Sequence, residues 1–553
     1  MSAFFDAHAG LLKAAVEAAR TRGYWSAYPE VPSGKIYGES AKADGEAAFR
    51  DLLGKPFPLD QRAEAQVGAE SSPYGFALGI TYPSVPAAAL VVASEQARPG
   101  WARASVEDRV GVALEILARL NRQSFLIANA VQHTSGQAFM MAFQAGGPHA
   151  QDRGLEAVAY AYDEMARIPG AVTWTKPAGK VSLVLDKSFR IVPRGTALVI
   201  GCATFPTWNS YPGLFASLVT GNSVIVKPHP GAILPLAITV RIAREVLREA
   251  GFDENVVQLA PDTAEAPITK DLVLHPRVAI IDFTGSPAFG EWVRENARGK
   301  QVYTEEAGVN SIVLDSTDDF RGLTGNIAFS LSLYTGQMCT APQNIFVPRD
   351  GIETPEGRKS FDEVAEGLKT AIDRLLGDPE RAAAVLGAVQ SEATLERVAA
   401  AATRGRVIRR AERVAIPGFE GARAITPLLV AVEAADEPVY TVECFGPIAY
   451  LVATESTEDS IRRAAETARA KGAITASLYT TRDAVAAAAE DAFAAAGVAL
   501  SINLTGQVFV NQSAAFSDYH VSGGNPAGNA SLTDTAFVAN RFRVATVRRQ
   551  AAA

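Results

Sequence analysis

The strongest constraint on the fold of this chain is an alternation of short apolar segments with helical segments, which begins at Thr196. Apolar runs predict strands at Ala197–Ile200, Ser223–Val226, Asn255–Leu259 and Val278–Phe283. Helical spacing of apolar residues predicts helices at Leu214–Thr220, at Leu234–Gly251 and from Phe283 as far as Trp292. Fully apolar strands between helices are typical of a parallel sheet with helices on both faces. The sequence therefore predicts an α/β fold.

The segments on either side of this series have other patterns. Residues 1–165 are predicted to be mostly helical, with helical spacing at Leu11–Arg22 and Val106–Ala130. Residues 170–195 alternate between apolar and polar types around turn-forming prolines and glycines, which predicts a β-ribbon. A second αβ series is expected from Ser311 to about Thr480, followed by an alanine-rich helix at 482–498. The alternating tail, Phe537–Arg549, is predicted to be an edge strand.

Composition excludes several classes of protein. The 553 residues carry a formal net charge of −8, so the chain has no basic field for nucleic acid or for an anionic membrane surface. Three cysteines are too few for a disulfide framework and favour a reducing, cytoplasmic location. The start at Met1–Asp6 does not resemble a signal peptide, and no apolar run is long enough to span a membrane. The six histidines lack the spacing of metal ligands, so no metal is expected.

A cysteine and a carboxylate are the candidate catalytic residues. Cys339 lies in the run Tyr334–Pro342, and Glu305 begins the pair Glu305-Glu306 upstream. A thiolate can attack an electrophilic carbon, and a nearby carboxylate can then activate water against the thioester. Cys339 alone could equally be a buried structural cysteine, so the assignment depends on the surrounding motifs.

Three further motifs suit a nucleotide, although each also has an ordinary structural interpretation. Gly285-Ser286 joins a strand end to a helix start, where free backbone N–H groups suit a phosphate; a plain helix cap is the commoner reason for such a turn. Lys227 ends a predicted strand and would face a ligand crevice, or it is a surface lysine. Glu443 and Phe445 would project to the same side of an extended segment, or they are a solvated acid and a core aromatic residue.

Taken in order, these motifs resemble those of the NAD(P)-dependent aldehyde dehydrogenase superfamily over about residues 100–545. Gly336–Ala341 is similar to the nucleophile motif of that family, and Thr304–Asn310 is similar to its Glu-Leu-Gly-Gly-Lys box. The resemblance implies that Cys339 is the nucleophile and Glu305 the general base. It also implies cofactor roles for four residues: Lys227 at the adenosine ribose, Ser286 at the pyrophosphate, Glu443 at the nicotinamide ribose and Phe445 near the nicotinamide ring.

The resemblance also implies the architecture. It predicts a Rossmann-type cofactor domain with the helical N-terminal part over residues 1–305, an α/β catalytic domain over 306–500, and a substrate-pocket and oligomerisation segment over 501–553. The ribbon at about 170–195 and the C-terminal tail would be arms of an inter-subunit sheet. A homodimer or a homotetramer is therefore expected.

The chain departs from the family pattern where substrate meets protein. Thr204 occupies the place of the asparagine that helps to form the oxyanion hole in the family, and Asn209 lies a few residues further on. We expect Asn209 to be the donor, because an amide offers two N–H groups in a fixed plane. Val309 replaces the lysine that ends the Glu-Leu-Gly-Gly-Lys box. These variant boxes and the long N-terminal part resemble the PaaN-type branch of phenylacetate degradation, which implies a semialdehyde substrate that carries a coenzyme A thioester.

The cofactor is expected to be NADP, with NAD also accepted. The run Lys227-Pro228-His229-Pro230 has no carboxylate to repel a 2′-phosphate, and His229 could donate a hydrogen bond to it. Three alternatives remain at this point: a CoA-acylating aldehyde dehydrogenase, a catalytically silent ligand-binding relative, and a cysteine hydrolase without a redox cofactor. Glu305 favours hydrolysis over CoA acylation, and Cys339 together with Glu305 opposes a silent relative.

Overall fold

The computed structural model describes residues 3–306 and 308–550. Met1 and Ser2, on which the signal-peptide prediction partly rests, lie outside the described residues, as does Ala307 of the Glu305 box. The helices are α1 Ala3–Thr21, α2 Gly34–Tyr37, α3 Ala41–Leu52, α4 Ala87–Arg103, α5 Val106–Arg122, α6 Ser124–Ser135, α7 Phe139–Gly146, α8 Pro148–Ala166, α9 Pro206–Val219, α10 Leu234–Glu249, α11 Thr269–Leu274, α12 Pro287–Asn296, α13 Phe320–Ser332, α14 Phe361–Leu376, α15 Pro379–Leu386, α16 Glu392–Ala401, α17 Glu437–Tyr440, α18 Thr457–Lys471, α19 Asp483–Ala495 and α20 Thr535–Ala539.

The strands are β1 Ala65–Val67, β2 Ser71–Ser72, β3 Phe76–Ala77, β4 Tyr82–Ser84, β5 Ala171–Ala178, β6 Val181–Pro193, β7 Thr196–Ile200, β8 Ser223–Lys227, β9 Val257–Leu259, β10 Val278–Gly285, β11 Gln301–Glu306, β12 Ser311–Leu314, β13 Asn344–Pro348, β14 Ile352–Thr354, β15 Gly357–Lys359, β16 Arg406–Arg409, β17 Leu428–Glu433, β18 Ile448–Thr454, β19 Thr475–Tyr479, β20 Ala499–Ile502 and β21 Phe542–Gln550. Two short 3-10 helices cover Glu254–Val256 and Leu333–Gly336.

The first αβ series forms a five-stranded sheet in the order β11-β10-β7-β8-β9. All of its strand pairs are parallel, as the sequence predicted. The register places Ile200 beside Lys227, and it places Thr284 beside Glu305. Because carboxyl ends of parallel strands share one edge, the segments that carry the candidate site residues meet at that edge.

The second αβ series forms a seven-stranded sheet in the order β16-β17-β18-β13-β12-β19-β20. Only its edge pair β16–β17 is antiparallel among the described strands. The last strand of the first sheet in chain order, β11, ends at Glu306, and β12 of the second sheet begins at Ser311. The predicted division between residues 305 and 306 falls at the last residue of β11, and the division into functional domains stays a prediction.

The predicted ribbon and tail come together in a third, antiparallel sheet in the order β21-β6-β5. β21 pairs with β6 along its whole length, from Phe542 beside Pro193 to Gln550 beside Leu185. The tail is an edge strand, as predicted, although it begins later because Thr535–Ala539 is a short helix capped by Asp534. The side chains of this sheet are mostly exposed.

Some predicted limits were wrong. Helix α9 begins at Pro206 rather than Leu214, because Pro206 at its first turn suits a helix start and Pro212 is tolerated inside it. The predicted helix Val106–Ala130 is divided between α5 and α6 at Gln123, whose backbone (φ −102°, ψ 14°) is not helical. Only Val257–Leu259 of the predicted strand at 255–259 is extended, since a 3-10 turn precedes it.

The C-terminal segment is anchored to the first sheet by a buried ion pair. Arg541 is fully buried, and its two Nη atoms donate to the two carboxylate oxygens of Asp282 on β10 at 2.5 and 2.8 Å. Removing one partner of a buried ion pair strongly destabilises the folded protein, because the other charge is left buried and unpaired. The segment that follows β20 is thus held against the edge where the candidate site lies. None of the helices in the described ranges has the length and apolar character needed to cross a membrane.

Candidate active site

The loop that carries Cys339 is held in a strained conformation by its neighbours. Tyr334, Thr335 and Gly336 have successive φ values of 51°, 52° and 62°, a left-handed run that only glycine adopts without strain. The Tyr334 hydroxyl donates to the Ser135 carbonyl at 2.5 Å, and the Thr335 hydroxyl donates to the Leu386 carbonyl at 2.8 Å. These side-chain bonds fix the turn that presents Cys339.

Asn310 fixes the same loop from the other side. Its Nδ2 donates to the carbonyls of Cys339 and Ala341 at 2.8 and 2.9 Å. Its Oδ1 accepts from the backbone N–H groups of Ile474 and Thr475. The last residue of the Glu305 box therefore holds the loop of Cys339 in place, a role that sequence reasoning did not assign.

Glu305, rather than Glu306, faces the cysteine. Successive side chains of a strand point to opposite sides, and both residues end β11. Glu306 pairs with Arg294 on α12, whereas Glu305 is buried and hydrogen-bonded within the site. The structure thus brings together the thiol and the carboxylate that the sequence singled out.

His520 is the third member of this cluster, and sequence reasoning missed it. Its Nε2 lies 2.8 Å from Glu305 Oε1 and 3.8 Å from Cys339 Sγ. One polar side-chain atom from each of the three residues lies within 4.8 Å of those of the other two. The residues are far apart in sequence, so no local spacing could have revealed the cluster. The expectation that the site holds no metal stays a prediction.

The pKa values of Cys339 and Glu305 are shifted in opposite directions. Burial raises the pKa of the Cys339 thiol well above its usual range, and the negative charge of Glu305 raises it further. Burial would also raise the pKa of Glu305, but the charge and hydrogen bond of His520, with hydrogen bonds from Cys339 and Asn209, outweigh it and lower the pKa. The resting site is therefore a neutral thiol beside an ionised carboxylate.

Cys339 lies between two cavities. A cavity of about 960 Å³ contains Cys339 in its wall together with Trp208, His520 and residues from the N-terminal segment 24–30. A second cavity of about 320 Å³ is lined by Cys339, Glu305, Ser286, Glu443 and Phe445 among others. A thiol shared by two chambers can meet one molecule from each side.

Asn209 and Thr204 are placed differently around the thiol. Asn209 lines both cavities, and its Nδ2 donates to Glu305 Oε2 at 2.8 Å. Thr204 lines only the smaller cavity of the two, and its hydroxyl lies 4.0 Å from Cys202 Sγ. The placement favours Asn209 as the oxyanion donor, and this assignment stays a prediction.

The smaller cavity brings together the residues predicted at the pyrophosphate and the nicotinamide ribose. Ser286 precedes α12, and its side chain makes no capping hydrogen bond to the helix. The Ser286 hydroxyl does not occupy the first N–H groups of the helix, which are therefore open to a ligand. Burial raises the pKa of Glu443 to about 7, while Arg397 lowers it and Glu306 raises it. Arg397 was not predicted; its Nε donates to the Phe445 carbonyl at 3.1 Å and so links the two sides of this wall.

The predicted adenosine end has a partner that the sequence did not reveal. Lys227 Nζ lies 2.7 Å from Asp262 Oδ1, and both side chains are buried. Asp262 Oδ2 accepts from the Ile268 N–H at 3.0 Å. His229 is exposed, and its Nδ1 accepts from the Gly231 N–H at 3.0 Å, so a neutral imidazole carries its proton on Nε2.

The fold is that of an α/β enzyme, and the candidate site pairs Cys339 with Glu305 and His520. The chain belongs to the aldehyde dehydrogenase family, whose sequence model matches residues 84–534. It is similar to an NAD-dependent aldehyde dehydrogenase from Burkholderia multivorans, whose crystal structure has a TM-score of 0.99 and 57% identity over 100% of both chains. The structure of a 1-pyrroline-5-carboxylate dehydrogenase shares the fold at 19% identity, with a TM-score of 0.76 over 96% of this chain and 99% of the other.

Curated relatives are more distant. A 1-pyrroline-5-carboxylate dehydrogenase from Bacillus subtilis is 25% identical over 55% of this chain and 56% of its own length. An N-succinylglutamate 5-semialdehyde dehydrogenase from Pseudomonas fluorescens is 26% identical over 47% of this chain and 50% of its own length. The chain thus spans about half the length of these curated relatives. They support the family and leave the substrate open.

Proposed function

We propose that this protein oxidises an aldehyde to a carboxylic acid with NADP or NAD as the acceptor. The observation that carries the proposal is the position of Cys339 between the two cavities. The larger cavity suits the aldehyde, and the smaller one suits the cofactor because Glu443, Phe445 and the free start of α12 converge there. A hydrolase without a cofactor would have no use for the second chamber.

The chain's own residues supply the remaining chemistry. The Cys339 sulfur adds to the aldehyde carbon, and an N–H of Asn209 donates to the oxygen that becomes negative. A bound nicotinamide supplies the acceptor for the hydride. The acyl group is then a thioester on Cys339, and Glu305 takes a proton from the water that releases the acid. Because Glu305 is buried beside the thiol, it supports hydrolysis rather than transfer to coenzyme A.

We further propose that the substrate is an extended semialdehyde carrying a coenzyme A thioester, of the kind formed in phenylacetate-type aromatic degradation. A cavity of about 960 Å³ is far larger than a short aldehyde needs. No lysine or arginine is among the described residues that line it, and its charged groups include Glu30, Asp152 and Asp518. The acyl chain and the neutral pantetheine arm suit this wall, whereas the phosphates of coenzyme A would have to lie outside it.

A panel of aldehydes tests the proposal. We expect kcat/KM to be highest for a CoA-linked semialdehyde, lower for an uncharged aromatic or aliphatic aldehyde, and lowest for a short semialdehyde with a free carboxylate. The reduced cofactor is followed by absorbance, and the product is analysed as free acid or acyl-CoA. Preference for the short carboxylated substrate would contradict the substrate class, and an acyl-CoA product would contradict hydrolysis.

Two variants test the chemistry itself. Cys339→Ala should abolish turnover while cofactor binding is retained, because only the nucleophile is removed. Glu305→Gln should block release of the acid more than formation of the thioester, so we expect a burst of at most one equivalent of reduced cofactor followed by a stall. Glu306→Gln is the matched control, since its carboxylate faces Arg294 instead. Steady turnover of Glu305→Gln at the wild-type rate would assign the base to another group.

A further inference from the structure

The side chain of His520 is held by a ring contact and by a hydrogen bond of Nε2. Its ring contacts Trp208 edge-on, with 4.6 Å between the ring centroids. The backbone carbonyl of His520 accepts from the Leu532 N–H at 2.8 Å. Its ring Nε2 is hydrogen-bonded to Glu305 Oε1. The side chain is almost completely buried. A ring fixed in this way presents one nitrogen to the reacting sulfur in a constant geometry.

The proton on this ring can be assigned from its partners. An ionised Glu305 can only accept hydrogen bonds, so Nε2 must carry the proton that lies between them. Nδ1 is buried and has no hydrogen-bond partner among the described residues. The N–H of Nε2 therefore faces both the carboxylate of Glu305 and, at 3.8 Å, the sulfur of Cys339.

The thiol needs such a donor. A buried sulfur beside a carboxylate resists ionisation, as the raised pKa of Cys339 indicates, yet the thiolate is the form that attacks a carbonyl. A hydrogen-bond donor next to the sulfur stabilises the thiolate selectively, because hydrogen bonds to charged groups are stronger than those to neutral groups.

We propose that His520 is a further catalytic residue whose Nε2–H stabilises negative charge first on Glu305 and then on the sulfur of Cys339. The S–H bond of Cys339 breaks, its electron pair stays on sulfur, and the proton passes to the Glu305 carboxylate. The negative charge moves from oxygen to sulfur, and the Nε2–H then donates to the thiolate. Glu305 returns the proton to water before it acts on the thioester. The proposal rests on the aldehyde oxidation proposed above, in which Cys339 is the nucleophile.

The test is the rate at which iodoacetamide alkylates Cys339 at neutral pH, in the full-length protein without aldehyde or cofactor. His520→Ala removes the donor, and we expect alkylation to slow by about 10- to 100-fold, the range of one hydrogen bond to a charged group. His520→Gln places an amide N–H₂ near the position of Nε2 and should recover most of that loss. Turnover with an aldehyde should follow the same order, with a larger change in kcat than in KM.

His8→Ala is the matched control, because His8 also lies 2.9 Å from a glutamate, Glu115, but belongs to the contact between α1 and α5. Its alkylation rate should equal that of the wild type, and Cys339→Ala gives the background from other thiols. Alkylation of His520→Ala at the wild-type rate would overturn the proposal, as would an equal loss in His520→Gln. If the wild-type protein oxidises no aldehyde, the proposed function fails, while the alkylation rates still decide the role of His520.

Discussion

At the scale of single residues, Asn209 connects more of the site than its distance from the family motif suggested. Its side chain contacts Glu305 and Cys202 and lines both cavities. We predict that Asn209→Ala lowers kcat by about 10²–10³, the effect of losing one oxyanion donor. Thr204→Val should leave kcat within a few-fold of the wild-type value.

Rapid mixing separates the two roles that Asn209 could have. Loss of an oxyanion donor slows the first burst of reduced cofactor, whereas loss of its bond to Glu305 slows only the later steady state. A normal burst in Asn209→Ala, together with a slow burst in Thr204→Val, would show that Thr204 is the donor.

Glu443 places a group that titrates near neutrality in the cofactor cavity. Its pKa is raised from 4.5 to about 7, mainly by burial, so the neutral acid persists below about pH 7 and the carboxylate forms above it. The carboxylate accepts hydrogen bonds from the two hydroxyls of a ribose diol more strongly than the neutral acid does. We predict that the affinity for reduced cofactor increases as the pH rises through about 7, measured by cofactor fluorescence, and that Glu443→Gln removes this dependence.

The same shift has an effect on stability with a definite sign. Between about pH 4.5 and pH 7 the folded chain binds this proton more tightly than the unfolded chain does. The contribution of Glu443 to the free energy of unfolding therefore decreases as the pH rises through that range. The same dissociation constant of the reduced cofactor at about pH 6 and about pH 8 would contradict the prediction for Glu443.

At the scale of elements, the loop between β9 and α11 supplies a carboxylate next to the predicted ribose site. Asp262 lies 2.7 Å from Lys227, and a negative charge there disfavours a 2′-phosphate. We predict that Asp262→Asn raises the ratio of kcat/KM for NADP to that for NAD by about tenfold, or about 1.4 kcal/mol. Dissociation constants of the two reduced cofactors provide a second measurement.

Glu265→Gln is the control for this loop, because it removes the same charge from an exposed position a few residues away. If both variants change the cofactor ratio equally, a general effect of charge is responsible. If neither changes it, Asp262 only holds Lys227 and the loop in place.

The elements show which parts of the fold follow from local sequence. The apolar strands were predicted, and a helix cap was the commoner interpretation of the turn at Ser286, because the patterns that form them lie within a few residues. The start of α9 was missed: its first part contains Pro206 and Pro212, and although proline usually disfavours a helix interior, the helix accommodates both. Asp262 was missed for a different reason: it approaches Lys227 only after two strands have paired.

The candidate site was likewise predictable only where its residues belong to local sequence motifs. Cys339 and Glu305 are embedded in recognisable motifs, so the sequence indicated them and the fold brings them together. His520 is separated from Glu305 by 215 positions and from Cys339 by 181. No pattern of spacing encodes a contact of that range, since it depends on how the C-terminal segment packs over the first sheet.

At the scale of the whole molecule, the three-stranded arm has one apolar face. The register and the alternation of side chains place Val172, Leu183 and Val544 on the same side, and all three are exposed. Exposed apolar faces of this kind mark interfaces, and a second copy of this chain is the partner expected here. We predict that Val544→Asp dissociates the oligomer, because a buried unpaired charge disrupts the interface. Light scattering should then give a lower molecular mass for the particle in solution than for the wild-type protein.

Val547→Asp is the matched control, since Val547 lies on the same strand but on the opposite face and is also exposed. It should keep the mass of the wild-type protein. Equal masses for the two variants and the wild type would place the interface elsewhere or show that the chain is monomeric.

The order in which the chain builds its active site has a consequence for its synthesis. The thiol is in the middle of the chain, but His520 comes from its last part, and the end of β11 is covered by Ala527 and Asn529 through bonds to Glu306 and Thr304. Arg541 then locks that part onto Asp282. A nascent chain in which the segment from His520 to Arg541 has not yet been synthesised thus lacks the third member of the cluster. Any chemistry that needs His520 beside Cys339 waits until that segment has packed onto the first sheet.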